Sequence, residues 1–104
     1  MYSLVFYVPT SALYKVKRAL FLAGAGKQGA YSDCCWQVKG MGEFVSSLSA
    51  NPAVGDPGEH NTVEEYRVEM RVSEECKDAC IAALKLSHPY EEPTYSLTIL
   101  ESWR

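Results

Sequence analysis

The sequence has only two histidines, no excess of basic residues and no long hydrophobic run, and each shortage argues against a class of protein. Ten lysine and arginine residues against thirteen aspartate and glutamate residues give a formal net charge of −3. Such a chain has no overall positive field to hold nucleic acid or an anionic membrane. The apolar run at residues 4–8 ends at Pro9 and follows no basic residue, so it predicts neither a signal peptide nor a membrane span. We therefore expect a cytoplasmic protein without nucleic-acid or membrane partners.

What the sequence does contain is the composition of one globular domain. Its 104 residues, 47% of them hydrophobic, are enough for one core and too few for two, so we expect residues 1–104 to form a single domain. Four cysteines are present, and a reducing compartment favours free thiols over disulfides. They are Cys34, Cys35, Cys76 and Cys80.

Several stretches have the composition or period of β-strands. Residues 2–8 are rich in β-branched and aromatic types, and residues 63–72 and 94–100 alternate apolar with polar side chains. Residues 31–38 and 43–48 are also extended in character. The glycine-rich segment between them, Gly40-Met41-Gly42, predicts the turn of a hairpin.

Two stretches repeat apolar residues at helical spacing. The first covers residues 13–23, with Thr10 or Ser11 as the expected cap and glycines from Gly24 as the end. The second follows Ser73 as its expected cap, and its apolar stripe contains Cys76, Cys80, Ala83 and Leu84. The order is therefore β-α-β-β-β-α-β, which predicts an α+β sandwich: an antiparallel sheet with two helices on one face. Apolar groups on the other face would drive self-association.

Three groups of motifs resemble a known family. They are Gly24-Ala25-Gly26 with Gly29 and Tyr31-Ser32-Asp33-Cys34, then Gly40-Met41-Gly42-Glu43-Phe44 with Ala50-Asn51-Pro52-Ala53-Val54-Gly55, then Ala82-Ala83-Leu84-Lys85 with His88-Pro89-Tyr90-Glu91-Glu92-Pro93. In this order they resemble the domain inserted in YqfO-type proteins of the Nif-three-like family, which is also known as a free-standing protein. The last segment is also similar to the CutA divalent-cation-tolerance proteins, which are PII-like trimers.

The resemblance implies a ferredoxin-like fold and a homo-oligomer, with the trimer expected. It implies less about activity. In the full-length Nif-three-like family, a dinuclear metal site and the name of a type-two GTP cyclohydrolase belong to the flanking domain and the whole protein.

The segment that ends the second helix concentrates the candidate chemistry. His88, Glu91 and Glu92 are candidate metal ligands, because imidazole and carboxylate together can ligate Zn or Cu, and copies related by symmetry would supply further ligands. The alternative is that His88 and Tyr90 lock the turn while the glutamates form ion pairs at a subunit contact.

Ligand-binding candidates are Tyr90, Asn51 in the loop at residues 50–61, and Cys34. A loop of about a dozen residues favours a role in binding or assembly. Cys34 and Cys35 are neighbours on an expected strand and point to opposite faces, so one is expected in the core and one exposed. The glycines at 24–29 follow a helix instead of opening one, which favours a turn over a phosphate loop.

No catalytic set can be assembled from spacing, so we name no catalytic residue. The sequence favours a small binding or regulatory module that takes a divalent metal or a small metabolite at subunit junctions. Two alternatives stay open. One is a hydrolase-type enzyme, GTP cyclohydrolase-like by family name, in which His88 acts as acid or base beside Glu91 or Glu92. The other is a scaffold for a larger assembly.

Overall fold

A computed structural model describes residues 1–53 and 55–101, in which four strands and two helices follow the order β-α-β-β-α-β. Short 3-10 turns at Thr10–Ala12 and Glu74–Cys76 lead into the two helices. The elements are β1 (Tyr2–Pro9), α1 (Leu13–Leu22), β2 (Trp36–Val45), β3 (His60–Val72), α2 (Lys77–Ser87) and β4 (Tyr95–Ile99).

The strands form one antiparallel sheet in the order β2-β3-β1-β4. In the centre of the sheet, Leu4 of β1 pairs with Met70 of β3 on one side and with Leu97 of β4 on the other. The predicted fold class, an α+β ferredoxin-like sandwich, is confirmed. The sheet leaves β2 and β4 as its two edges.

One face of the sheet carries the core, as strand alternation requires. Leu4, Phe6 and Val8 of β1 are fully buried. Leu4 and Phe6 pair with the buried Met70 and Val68 of β3, and Val8 pairs with the half-buried Tyr66. The helices cover this face with the side chains of Val16, Leu20, Cys80 and Leu84. Both helices therefore lie on one side of the sheet, as predicted.

The predicted hairpin at Gly40-Met41-Gly42 is wrong. All three residues lie inside β2, which pairs with β3 without interruption from Trp36↔Glu69 to Val45↔His60. The 13-residue β3 is long enough to pair with the whole of β2, so no turn is needed and the chain reverses after Val45. The sheet therefore has four strands instead of five, and residues 31–35 lie outside it.

The expected hydroxyl caps are also not formed. The Thr10 hydroxyl donates instead to the Glu64 carboxylate at 3.3 Å, and Ser73 precedes its 3-10 turn without a side-chain cap hydrogen bond. The glycine end of α1 is as predicted. Gly24 has φ +111° and Gly26 has φ +80°, backbone angles that favour glycine.

The β2–β3 pair extends past the rest of the sheet. β1 reaches only to Glu65 of β3, so His60 and its neighbours up to Glu64 pair with β2 alone. We call this projecting ribbon, residues 41–45 with 60–64, the arm. It contributes to a molecule 46 Å long and 24 Å wide.

The face without helices is mixed in character. By the register, Val5 and Trp36 both stand beside Glu69, and Val38 stands beside Arg67. The sequence predicts apolar groups on this face, and they are there, but charged side chains separate them. None of the described helices is long and apolar enough to cross a membrane.

Candidate functional site

The segment after α2 is fixed to the sheet by His88. Its side chain is 6% exposed, and Nε2 lies 2.6 Å from the carbonyl oxygen of Tyr7 in β1. The backbone N–H of Tyr90 donates to Nδ1 at 3.1 Å. Because Nδ1 accepts, the proton of the neutral ring lies on Nε2, which donates to the Tyr7 carbonyl.

Burial keeps this imidazole neutral. Removal from water lowers the pKa of His88 below its ordinary value of 6.5, although the Tyr7 carbonyl and the negative charge of Glu65 act in the opposite direction. Both ring nitrogens are bonded to backbone groups of the chain. A metal ion could take His88 as a ligand only if one of these hydrogen bonds were given up.

Tyr90 continues the same arrangement towards β3. Its ring lies 4.7 Å from the His88 ring, centroid to centroid, and its hydroxyl donates to Oε2 of Glu65 at 3.1 Å. Burial raises the pKa of Tyr90 well above its ordinary value, and the Glu65 carboxylate adds to the shift. Tyr90 therefore stays protonated, and its hydroxyl can donate the hydrogen bond that holds the Glu65 carboxylate.

Glu65 occupies space that a glycine leaves open. Its carboxylate lies over Gly42 of the neighbouring strand, where a Cβ atom would collide with Oε1. Gly40 on the same strand has nothing within 4 Å of the place where its Cβ would be. Only one of these two strand glycines is therefore needed for the position of the carboxylate.

These residues border an open cleft of about 740 Å³ between the arm and the 88–94 segment. Its apolar surface includes three aromatic rings, those of Tyr7, Phe44 and Tyr90. Four glutamates also line it, namely Glu43, Glu65, Glu91 and Glu92. Among the described residues that line the cleft there is no lysine, arginine or histidine.

The predicted site residues are only partly brought together. Tyr90, Glu91 and Glu92 line the cleft. His88 is not a lining residue, and it fixes the segment by its hydrogen bond to the Tyr7 carbonyl. Asn51 is exposed and lies between two lining residues of the loop. Cys34 lines a second, smaller cleft of about 440 Å³. A binding role for Cys34 stays a prediction, but it does not share a cleft with Tyr90.

No three histidine, cysteine, aspartate or glutamate side chains in residues 1–53 and 55–101 are grouped so that they could hold a metal ion. Glu91 and Glu92 are exposed. The predicted Zn or Cu site at His88, Glu91 and Glu92 thus stays a prediction that needs ligands from further copies.

Tyr7, Phe44 and Glu65 are among the lining residues that sequence reasoning missed. One signal was available for Glu65: glycine inside a strand often marks a close approach by another group, and Gly42 does so here. The aromatic residues gave no such signal, because their positions depend on pairing between strands distant in sequence.

Cys80 of α2 belongs to the interior, and Cys76 in the turn before α2 is half-buried. Cys80 is buried with Sγ 3.8 Å from the Ala23 carbonyl, and burial raises the pKa of its thiol. Cys76 packs against Gly24 so closely that a Cβ there would lie 2.6 Å from its sulfur. All four cysteines are free, Cys34 being half-buried and Cys35 exposed. The glycine segment therefore packs as a structural turn, in agreement with the prediction.

No protein-family model matches the chain. Its sequence is 43% identical over 97 residues to a GTP cyclohydrolase 1 type 2 homolog of Halalkalibacterium halodurans, covering 93% of the chain and 26% of that protein. A Bacillus cereus protein related to NIF3 superposes with a TM-score of 0.83 at 33% identity, over 97% of the chain and 26% of that structure. The chain is homologous to one segment of the NIF3-related proteins.

The chain spans about a quarter of the length of these NIF3-related proteins. Outside them, the periplasmic divalent cation tolerance protein CutA of Archaeoglobus fulgidus has the same fold, with a TM-score of 0.69 at 12% identity over 100% of the chain and 88% of that structure. The resemblance to the NIF3 and CutA groups predicted from the motifs is confirmed, and the second likeness concerns the fold alone.

Proposed function

We propose that the chain is a small oligomeric binding or regulatory module whose ligand occupies the cleft beside the 88–94 segment, at a junction between copies. The observation that carries the proposal is the way this segment is fixed. His88 bonds to β1 and Tyr90 bonds to β3, so the cleft is preformed, as small-molecule sites usually are.

The same geometry favours binding over catalysis. A catalytic imidazole would need a carboxylate within hydrogen-bond reach and open space beside the ring. His88 instead is buried between the Tyr7 carbonyl and the Tyr90 amide. The cyclohydrolase named in the relatives is the second candidate, supported by their 41–43% identity, and it belongs to proteins of which the chain spans a quarter.

Assembly through the sheet is supported by its edges. β2 is an edge strand of ten residues with exposed apolar side chains, Met41 among them at 67% exposure. Edge strands with unpaired backbone groups are ready to pair with another chain. We propose a trimer, in which the arm of one copy lies beside the cleft of the next. The four free thiols support a reducing, cytoplasmic location.

A small metabolite or a divalent metal fits this proposal. The metal version is supported by the fold shared with the divalent cation tolerance protein, and it uses Glu91 and Glu92 from several copies with His88 holding the segment.

Light scattering and thermal shift test the proposal together. We expect a mass three times the 11.6 kDa of one chain, and a rise in Tm with at least one member of a panel of Zn²⁺, Cu²⁺ and nucleotides, because a ligand of the folded state stabilises it. The double variant Glu91→Gln, Glu92→Gln should reduce a metal shift that Glu74→Gln leaves intact. A monomer whose Tm responds to no member of the panel would contradict the proposal.

A further inference from the structure

We infer that the cleft takes an organic cation, a protonated amine on an alkyl chain, with the ammonium group on the free oxygen of Glu65. This inference names the ligand class of the site proposed above and rests on that proposal. Three features of the cleft carry it: its charge, the way Glu65 is held, and its aromatic surface.

The first feature is charge of one sign. Four carboxylates line the cleft, and no basic side chain does among the described lining residues. Two basic side chains outside the lining contact it: the imidazole of His60 lies 3.4 Å from the lining Glu43, and Arg67 bonds to Glu69 and to the hydroxyl of the lining Tyr7. A concave surface with one sign of charge raises the local concentration of opposite charges.

The second feature is the position of Glu65. Its Oε2 accepts from the Tyr90 hydroxyl, and within the described residues its Oε1 accepts no hydrogen bond. Oε1 lies over Gly42, where the missing Cβ leaves it room. The carboxylate is therefore fixed before a ligand arrives, which saves the free energy of ordering it on binding.

The third feature is the surface next to that oxygen. The cleft also contains the rings of Tyr7, Phe44 and Tyr90 and the side chain of Val63. Aromatic faces attract cations, and apolar walls favour an alkyl chain. A metal ion, by contrast, needs several ligand atoms converging on one point. The described residues form no such group, whereas separate carboxylates along a cleft suit an elongated cation.

Titration with 1,4-diaminobutane at low ionic strength tests the inference. We expect backbone amide NMR shifts concentrated at Gly42, Phe44 and Tyr90. Glu65→Gln keeps an acceptor for the Tyr90 hydroxyl but removes the charge, and we expect it to weaken binding about tenfold, which is about 1.4 kcal/mol. The matched control is Glu64→Gln, next in sequence, whose carboxylate contacts Lys39 and Thr10 instead. It should change the affinity less than about twofold.

Several outcomes would overturn the inference. Equal losses of affinity in Glu65→Gln and Glu64→Gln would mean that the diamine is attracted to the surface charge as a whole. Equal affinity for the neutral 1,4-butanediol would mean that charge is not recognised, and equal affinity for MgCl2 at the same amides would point to a compact ion. If the diamine does not bind while the protein stays oligomeric and another ligand raises its Tm, the cation class fails and the proposed module survives.

Discussion

The imidazole Nε2–H of His88 donates a 2.6 Å hydrogen bond to the main-chain carbonyl of Tyr7, 81 residues earlier. The N–H of Tyr7 donates to the Thr94 carbonyl just before β4 begins, so the ring takes the position that a longer β4 would fill. A side chain thus continues the hydrogen bonding of the sheet. It also ties the end of α2 to the central strand.

Replacing His88 by alanine should destabilise the fold by about 1–3 kcal/mol, because the Tyr7 carbonyl and the Tyr90 amide both lose a partner in a buried place. Urea unfolding measures the change. The matched control is His60→Ala, whose imidazole is 65% exposed and should matter by less than about 0.5 kcal/mol. Equal effects of the two substitutions would show that the hydrogen bonds of His88 contribute nothing.

Stability should also fall as the pH drops below 6.5. The pKa of His88 in the folded state is lower than its ordinary 6.5, so between the two values the unfolded chain binds more protons. The contribution of the neutral ring is complete above pH 6.5 and is lost as the pH falls towards the lower folded-state pKa. Unfolding free energies from pH 7.5 to 5 measure this slope. The slope should be smaller in His88→Gln, and an unchanged slope would assign it to other groups.

Gly42→Ala should move Glu65 without unfolding the protein. The new methyl group meets the end of a flexible side chain, which can shift, so we expect a stability loss below about 1 kcal/mol. The Glu65 carboxylate should leave the Tyr90 hydroxyl, and the ¹³C shift of its carboxyl carbon should report the change. Gly40 also lies in β2, but nothing is within 4 Å of the place where its Cβ would be, so Gly40→Ala should leave that signal in place. The same shift in both variants would contradict the proposed close approach.

Met41→Arg should reduce the oligomer mass measured by light scattering, because it places a charge on the edge strand where we propose that copies pair. Leu86→Arg is the control. Leu86 is also a large apolar residue, 87% exposed, but it lies on α2 and not on the edge strand β2. If Leu86→Arg lowers the mass and Met41→Arg does not, the contact between copies involves the helices.

Local sequence patterns were sufficient for most of the fold. The alternation of Val68, Met70 and Val72 with charged residues gave β3 and its buried face, because a strand with one wet side has a period of two. The turn predicted from Gly40 and Gly42 was wrong for a physical reason. Glycine is common in turns, and only the register with a long partner strand shows that here it leaves room for Glu65.

The candidate site was predictable in part. The prolines and aromatic residue around His88 indicated a locked turn between α2 and β4, and one of the two interpretations of His88 was that role. The sequence could not show that Tyr90 reaches Glu65, 25 residues away, or that Tyr7 and Phe44 join them. Such contacts depend on strand register and on the length of the arm, which no local pattern encodes.

The contact between Cys76 and Gly24 has a chemical consequence. Because a Cβ at Gly24 would lie 2.6 Å from this sulfur, a group attached to the sulfur on that side must separate the turn before α2 from the end of α1. A thiol reagent should modify exposed Cys35 at once, half-buried Cys76 more slowly, and fully buried Cys80 only when the helical layer opens. The rate of the reaction at Cys80 would measure how often this layer opens.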